Sequence, residues 1–461
     1  MITNRGELRF IWVLFALLIG GIGEPNLNAQ VVELKVAKTI EFIVEQPLAL
    51  GGATNIGLYW AFNTKDGGFV EVRGDGGPYY SLSKFGAGGS LVWSMAVSNS
   101  VFSSVFGDSF IEDHDGNVVF ILNAGFGGNL ICRVDTNGAI LDQAPLGTQE
   151  SRVVLSGDGF LVGGVLSGNG LPSFIRLNAS FQRETGSTIG MPSGSWTRGS
   201  SYGHERRFIL PERNGSIIYA GKCDLRQITK LDTNGNVTWD LRGISNDSTF
   251  RPGGVPGGSD LMTIIRARDG GFLMAGFDMV NANGDSVPGN FDYLLVKISS
   301  TGQVMWLRRY GGSRHEFLSS VVQTEDGGFL VSGFSETEGV DGNKGVGGVG
   351  FWLVKTDERG LKQSEVVIQN EADWGNYLLS TPSGFTLLGV NAKQVQPTRW
   401  DLTVPRRVKV SAHNPSGLPY RVDVSGDLEH WSPVVIGFSG DLELRENVGA
   451  TPRYWRAYST P

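Results

Sequence analysis

The pentapeptide GSSYG (199–203), with His204 next to it, satisfies the G-x-S-x-G pattern in which a serine hydroxyl is activated as a nucleophile. That chemistry needs a strand before the serine and a helix after it, so that the hydroxyl is held out at a sharp turn. Here MPSGSWTR precedes the motif, and HERRFILP, which reads as a strand, follows it. No nucleophile elbow is predicted. GVGGVG (345–350) satisfies G-x-G-x-x-G, but a strand-like run follows where a phosphate-binding helix would have to begin. RGD (73–75) reads as a turn after a strand rather than as an adhesion motif. His114, His204, His315, His413 and His430 are scattered, and neither H-E-x-x-H nor C-x-x-C occurs, so no zinc site is indicated.

What remains is a set of oxygen-bearing side chains in two connecting segments: Asp278, Asn281, Asn283, Asp285, Asp292, Glu336, Glu338 and Asp341. Hard oxygen ligands suit calcium, but no EF-hand loop is present, and a solvated polar loop is the competing reading. No other cofactor is indicated. Which of these residues can meet depends on the elements that carry them.

Those elements repeat. DGGFLMAGF (269–277) returns 57 positions later as DGGFLVSGF (326–334). Fainter copies of an apolar run behind a glycine turn start at Asp66, Asp115, Gly157, Asn214 and Pro382, with successive spacings of 49, 42, 57, 55, 57 and 56 residues. A strand-like run precedes the turn (LMTIIRAR, LSSVVQTE), and another follows it (NLICRVD, QITKLD, DYLLVKIS, FWLVKTD). A second tight turn, such as DTNG or DERG, then leads into a run that often holds tryptophan (LVWSM, NVTWDL, QVMWLRRY). Each unit is therefore four short strands, A to D. The B runs are continuously apolar, the mark of strands buried on both faces. A purely β repeat of this length predicts an all-β fold, a β-propeller of seven four-stranded blades over 30–404, with six or eight blades as alternatives. Unit seven lacks a fourth strand, and VVELKVAKTIEFIV (31–44) has no unit of its own. Residues 31–46 are accordingly expected to complete the last blade and cover its open edge, with a separate N-terminal hairpin as the alternative.

The pattern DGGFLVSGFSE, FWLVKTDERG and YGGSRHE resembles the DGGF-type β-propeller repeats of bacterial secreted and cell-surface proteins, strongly over 258–360 and diffusely over the rest of 50–404. Unit two has Val118 in place of the phenylalanine, unit four has Ser216, and unit seven begins Pro-Ser. The resemblance implies a fold and no activity. From Pro405 the composition changes. Ser425, Asp427, Leu428, Trp431 and Tyr454-Trp455-Arg456 are similar to a small C-terminal β-module at the ends of exported bacterial proteins, so 405–461 is expected to form a β-sandwich-like unit.

Residues 1–29 read as a secretory signal: Arg5 and Arg9, an apolar run over 10–19, and LNA before the cut. The run is shorter than the roughly 20 residues of a membrane span, which leaves an uncleaved anchor as the alternative and no transmembrane span in the mature chain. The expected location is secreted, periplasmic or cell-surface. The net charge of −7 argues against nucleic acid as a partner, for which a basic stripe is expected. Cys132 falls on a C strand of unit two and Cys223 after the B strand of unit four, too far apart to bridge, so two free thiols are expected.

In such a blade the A–B and C–D turns share one face, and the B–C and D–A connections share the other. The first set is uniformly tight; the second is long and varied. The long-loop face would carry 190–206, 243–260, 278–292 and 335–348. Loops on a rigid scaffold are where binding resides. The candidate ligand-binding residues are Trp196, Arg198, Tyr202, His204, Asp278, Asp285, Asp292, Arg314, His315, Glu336 and Asp341. The expected function is a monomeric binding or structural module for a protein or glycan ligand. A polysaccharide-active or other hydrolytic enzyme using carboxylates of this face is the alternative.

Overall fold

The computed structural model describes the strands and tight turns between Glu33 and Ser459. The longest stretches outside the described residues are 1–32, 99–109, 191–206, 242–259, 279–290 and 337–349. The described elements are all strands, with no helix among the described residues.

Seven antiparallel sheets follow one another along the chain, each with its strands hydrogen-bonded in sequence order. Blade 1 is Gly57–Asn63, Phe69–Gly74, Tyr79–Phe85 and Leu91–Ser98. Blade 2 is Phe110–Glu112, Val118–Asn123, Asn129–Val134 and Ile140–Pro145. Blade 3 is Thr148–Ser156, Gly159–Leu166, Pro172–Leu177 and Arg183–Gly190. Blade 4 is Arg207–Pro211, Ile217–Gly221, Gln227–Leu231 and Val237–Leu241. Blade 5 is Asp260–Arg266, Phe272–Asp278, Asp292–Ile298 and Val304–Tyr310. Blade 6 is Glu316–Gln323, Phe329–Ser335, Gly350–Thr356 and Lys362–Gln369. Blade 7 has Tyr377–Thr381, Gly384–Asn391 and Gln396–Thr403 from its own stretch of chain.

The segment expected to supply blade 7's fourth strand is divided. Ile43–Val44 and Leu48–Ala49 pair with Gln396–Thr403 and take the outer position. Glu33–Ile40, in contrast, pairs along its length with Arg406–His413 in the second unit, from Glu33↔His413 to Ile40↔Arg406. The reading of 31–46 as one closing strand is corrected accordingly. An eight-residue ladder satisfies far more backbone groups than the short pairs left for the ring, and that is where the longer strand goes.

The core lies between blades. Val72 and Leu82 of blade 1 pack with Val118 and Phe120 of blade 2, and Val119 and Ile131 of blade 2 with Phe160 and Val162 of blade 3. The pattern continues as Leu161 with Ile217, Ile218 with Phe272, and Leu273 with Phe329. Phe351 of blade 6 meets Trp400 of blade 7 edge-on at 5.5 Å, and Leu388 of blade 7 packs with Phe69 of blade 1, closing the ring. Successive residues of a B strand thus face opposite neighbours, which is why these runs are apolar without alternation. Each buried Val, Leu or Phe contributes roughly 1.5–3 kcal/mol.

Every letter of the repeated DGGF has a structural cause. Asp269 Oδ1 accepts from the Gly271 N–H (2.9 Å), and its Oδ2 meets the buried ammonium of Lys297 on strand C at 2.7 Å. The first glycine, Gly270, adopts φ +81°, which an L side chain resists. A Cβ on the second, Gly271, would lie 2.3 Å from the Ile298 carbonyl oxygen. Phe272 is fully buried between blades. Asp66 with Lys84 (2.8 Å) and Asp326 with Lys355 (3.0 Å) repeat the ion pair.

A second device joins neighbours at the outer edge. Trp239 of blade 4 lies over Gly302 in the C–D turn of blade 5, where a methyl group would come within 2.6 Å of the ring. Trp93 over Gly138 and Trp306 over Gly360 do the same. Between blades 2 and 3 the parts are exchanged. Asp142 stands opposite Arg133, as Trp239 stands opposite Lys230. The glycine position of blade 3's C–D turn holds Phe181, at φ +60°. The Phe181 ring supplies what the tryptophan supplies elsewhere, lying 5.3 Å from Phe160 and 4.6 Å beneath the Arg133 guanidinium.

Arg73 of the RGD triplet is on strand B and 2% exposed, donating to both oxygens of the equally buried Glu71 at 2.7 and 2.8 Å. It is a structural ion pair, not a displayed adhesion residue. Cys132 is a free, buried thiol whose pKa burial pushes up to about 11; Cys223 lies outside the described residues.

The second unit is a sandwich of two three-stranded sheets. One orders Glu33–Ile40, Arg406–His413 and Leu442–Asn447; the other orders Trp431–Phe438, Tyr420–Ser425 and Tyr454–Ser459. Ala412, Tyr420 and Val422 form its small core, with Val435, Leu442, Leu444 and Ala457 packed against them.

Candidate functional site

The tight-turn face of the ring spends its polar groups on itself. Asn63 Nδ2 donates to Ser380 O (2.6 Å), Lys65 Nζ to Asp113 O (2.7 Å) and His114 Nε2 to Gly157 O (2.9 Å). Arg176 Nη2 donates to Gly215 O (2.9 Å), Arg266 Nη1 to Glu212 Oε1 (3.2 Å) and Arg268 Nη1 to Glu325 O (3.0 Å). Each bond joins adjacent blades, so this face is a stitched rim.

The opposite face differs at blades 5 and 6. Two connections converge there: the B–C connection of blade 5, at both its ends, and the D–A link 311–315 into blade 6. Phe277 lies near the end of strand B and Phe291 just before strand C of blade 5, Phe317 is in strand A of blade 6, and His315 lies beside them. The phenylalanine centroids are 5.1–5.4 Å apart, with Phe277 edge-on to both others. The His315 ring lies 5.3 Å from Phe291 and 5.6 Å from Phe317, nearly parallel to the latter. All four rings are half-buried.

Backbone and carboxylates hold the cluster in place. The Glu316 N–H donates to Phe291 O at 2.6 Å, and the Glu336 N–H to His315 O at 2.9 Å. The Glu316 side chain is fully buried; its Oε2 accepts from the Gly312 N–H (2.9 Å) and its Oε1 from the Ser335 hydroxyl (3.1 Å). Asp292, 2% exposed, packs on Gly311, where a Cβ would come 2.0 Å from the carboxylate oxygen. Burial, and then the Glu316 charge, raise the Tyr293 phenol well above its ordinary pKa, and its hydroxyl donates to Trp352 O at 3.3 Å. This buried network fixes the D–A link against two blades.

Of the residues expected to form a site, Asp292, Arg314, His315 and Glu336 are brought together here, with Arg314 exposed and Glu336 half-buried. Asp278 is opposite Asp292 in the ladder. Trp196, Arg198, Tyr202, His204, Asp285 and Asp341 lie outside the described residues. Among the described residues no three His, Cys, Asp or Glu side chains converge as a metal site. Sequence reasoning missed Phe277, Phe291, Phe317 and Glu316. The available signal was the pair GFD (276–278) and NFD (290–292) at the two ends of one connection, followed by HEF (315–317).

No family model and no curated protein matches the chain. Solved structures similar to it include BamB from Moraxella catarrhalis, at 14% identity and TM-score 0.40, covering 78% of this chain and 98% of that one. The Cps50 (Swd1) β-propeller domain of Myceliophteria thermophila has 10% identity and TM-score 0.44, covering 78% and 99%. Kuenenia stuttgartiensis hydrazine synthase has 12% identity and TM-score 0.47, covering 77% and 97%. At these identities the likeness concerns chain architecture alone. No helix among the described residues is long and apolar enough to cross a membrane.

Proposed function

We propose that the chain is an exported binding module whose ligand, a protein, is held on the long-loop face at the ends of blades 5 and 6. The observation that carries this reading is the contrast between the faces. One is consumed by inter-blade hydrogen bonds, and the other offers a cluster of half-buried rings on a rigid, buried carboxylate anchor. The hydroxyl and N–H partners of Glu316 give its carboxylate a structural duty rather than an acid–base one. Export is supported by the charged and apolar pattern of residues 1–29.

The test is a protein and glycan array probed with the full chain, with Phe317→Ala, and with Arg359→Ser in an exposed turn of the stitched face. Protein signals lost in the first variant and kept in the second are expected; identical profiles for all three refute the assignment. N-terminal sequencing of the mature protein checks export, with a start after Ala29 expected and a start at Met1 against it.

A further inference from the structure

We propose that a buried water molecule joins blades 6 and 7, held between Ser332 on strand B of blade 6 and Asn376 at the start of strand A of blade 7. The site uses none of the residues of the ring cluster and stands whatever the long-loop face binds.

The ladders bring the two side chains to one interface. Ser332 is directly opposite Ser320, so both hydroxyls lie on the same face of blade 6. That face looks toward blade 7, because Ser320 Oγ accepts from the Leu378 N–H at 3.1 Å. In blade 7, Tyr377 turns the other way and meets Trp60 of blade 1 edge-on at 5.2 Å. Successive residues point to opposite faces, so Asn376, just before Tyr377, points back to blade 6. Gly389 follows Leu388, the ladder partner of Tyr377, and a Cβ on it would come 2.8 Å from the Phe351 ring of blade 6.

Both side chains are fully buried, at 0% exposure, yet Ser332 Oγ, Asn376 Oδ1 and Asn376 Nδ2 meet no hydrogen-bond partner among the described residues. Other blades place an apolar residue where Ser332 stands on strand B: Ala275 in blade 5 and Leu388 in blade 7. A buried hydroxyl and amide gave up solvent to enter the fold, and such groups regain a partner in nearly every native protein. Together these atoms both donate and accept, so their ligand must do the same. Water does, and a buried water makes about three hydrogen bonds. It accepts from the hydroxyl or the amide N–H and donates to the amide oxygen, whichever way the amide is turned. Neither side chain carries a charge, which fits a neutral ligand, and an apolar one would satisfy none of the three atoms.

The test is a high-resolution crystal structure of the full chain, with urea denaturation of Ser332→Ala, Asn376→Ala and the double variant. A water about 2.7–3.2 Å from the Ser332 hydroxyl and from one end of the Asn376 amide is expected. Each single variant should raise the unfolding equilibrium constant about tenfold, and the double variant by about as much as one of them, because either change removes the bridge. An empty site, a direct bond from Asn376 to a protein group, a water touching only one of the two residues, or a metal ion's coordination shell overturns the proposal. So do losses that multiply to about a hundredfold in the double variant. If Asn376→Ala does not fold, the crystal structure of Ser332→Ala decides: the water should be lost or disordered there, and an undisturbed water overturns the bridge.

Discussion

The exchanged pair at the junction of blades 2 and 3 allows a quantitative test of how the blades are joined. At three other junctions a tryptophan on strand D sits over a glycine of the next blade; here Asp142 and Phe181 occupy those places. Phe181→Gly removes a ring that is 6% exposed and packed on Phe160. Loss of a buried phenylalanine costs about 3–5 kcal/mol, while relief of the left-handed backbone returns about 1–2 kcal/mol. The expected net loss is about 2–3 kcal/mol. Asp142→Trp alone drives a ring into space that Phe181 fills, at about 1–3 kcal/mol. It also breaks the 3.2 Å pair with Arg133, worth at most about 1 kcal/mol because Asp142 is 39% exposed. The double variant recreates the arrangement of Trp239 over Gly302 and should regain most of the two packing losses, a coupling of about 3–5 kcal/mol. Urea denaturation of the four proteins, with equal m-values as the condition for comparison, measures this term. Additivity within about 0.5 kcal/mol would show that the two sites do not share one ring position and would refute the exchange.

Four further outcomes follow from the same structure. Burial raises the Asp66 carboxyl, but hydrogen bonds from Lys84, Thr64 and the Gly68 N–H outweigh it and hold it at about 2, below its ordinary 3.8. The depressed value means that its stabilisation is present above pH 3.8 and is lost as pH falls toward 2, so the deficit of Asp66→Asn against the parent, followed by denaturation at each pH, should close over that window. Gly302→Ala should cost at least about 2 kcal/mol, from the positive φ and from the methyl group meeting the Trp239 ring; a melting curve unchanged from the parent would contradict the contact. Arg73→Ala leaves Glu71 buried without its partner and should destabilise by about 3–5 kcal/mol in chemical denaturation. In a Cys223→Ser background, Cys132 should react with a thiol reagent only on unfolding, because burial holds its pKa at about 11; rapid labelling of the native protein would count against its position.

The repeat and its blade architecture could be read from the chain because each of their causes is local or recurs at a fixed period. In DGGF the aspartate caps its own turn, the two glycines answer to backbone geometry, and the phenylalanine begins a strand with neighbours on both sides. The contrast between tight turns and long connections was legible for the same reason, and with it the face on which Asp292, Arg314, His315 and Glu336 meet. Three features were decided only by the tertiary structure. Glu33–Ile40 and Ile43–Val44 are continuous in sequence, yet they pair in different units because their partners, Arg406–His413 and Gln396–Thr403, lie hundreds of residues away. Asp142 and Phe181 look like two unrelated departures from the repeat until the blades bring them to one ring position. Phe277, Phe291 and Phe317 each read as an ordinary strand-end aromatic, and their cluster exists only where two connections converge. A side-chain contact between separate blades leaves no periodic mark on the chain: the repeat records what every blade needs, and the folded ring alone shows where one blade differs from the rest.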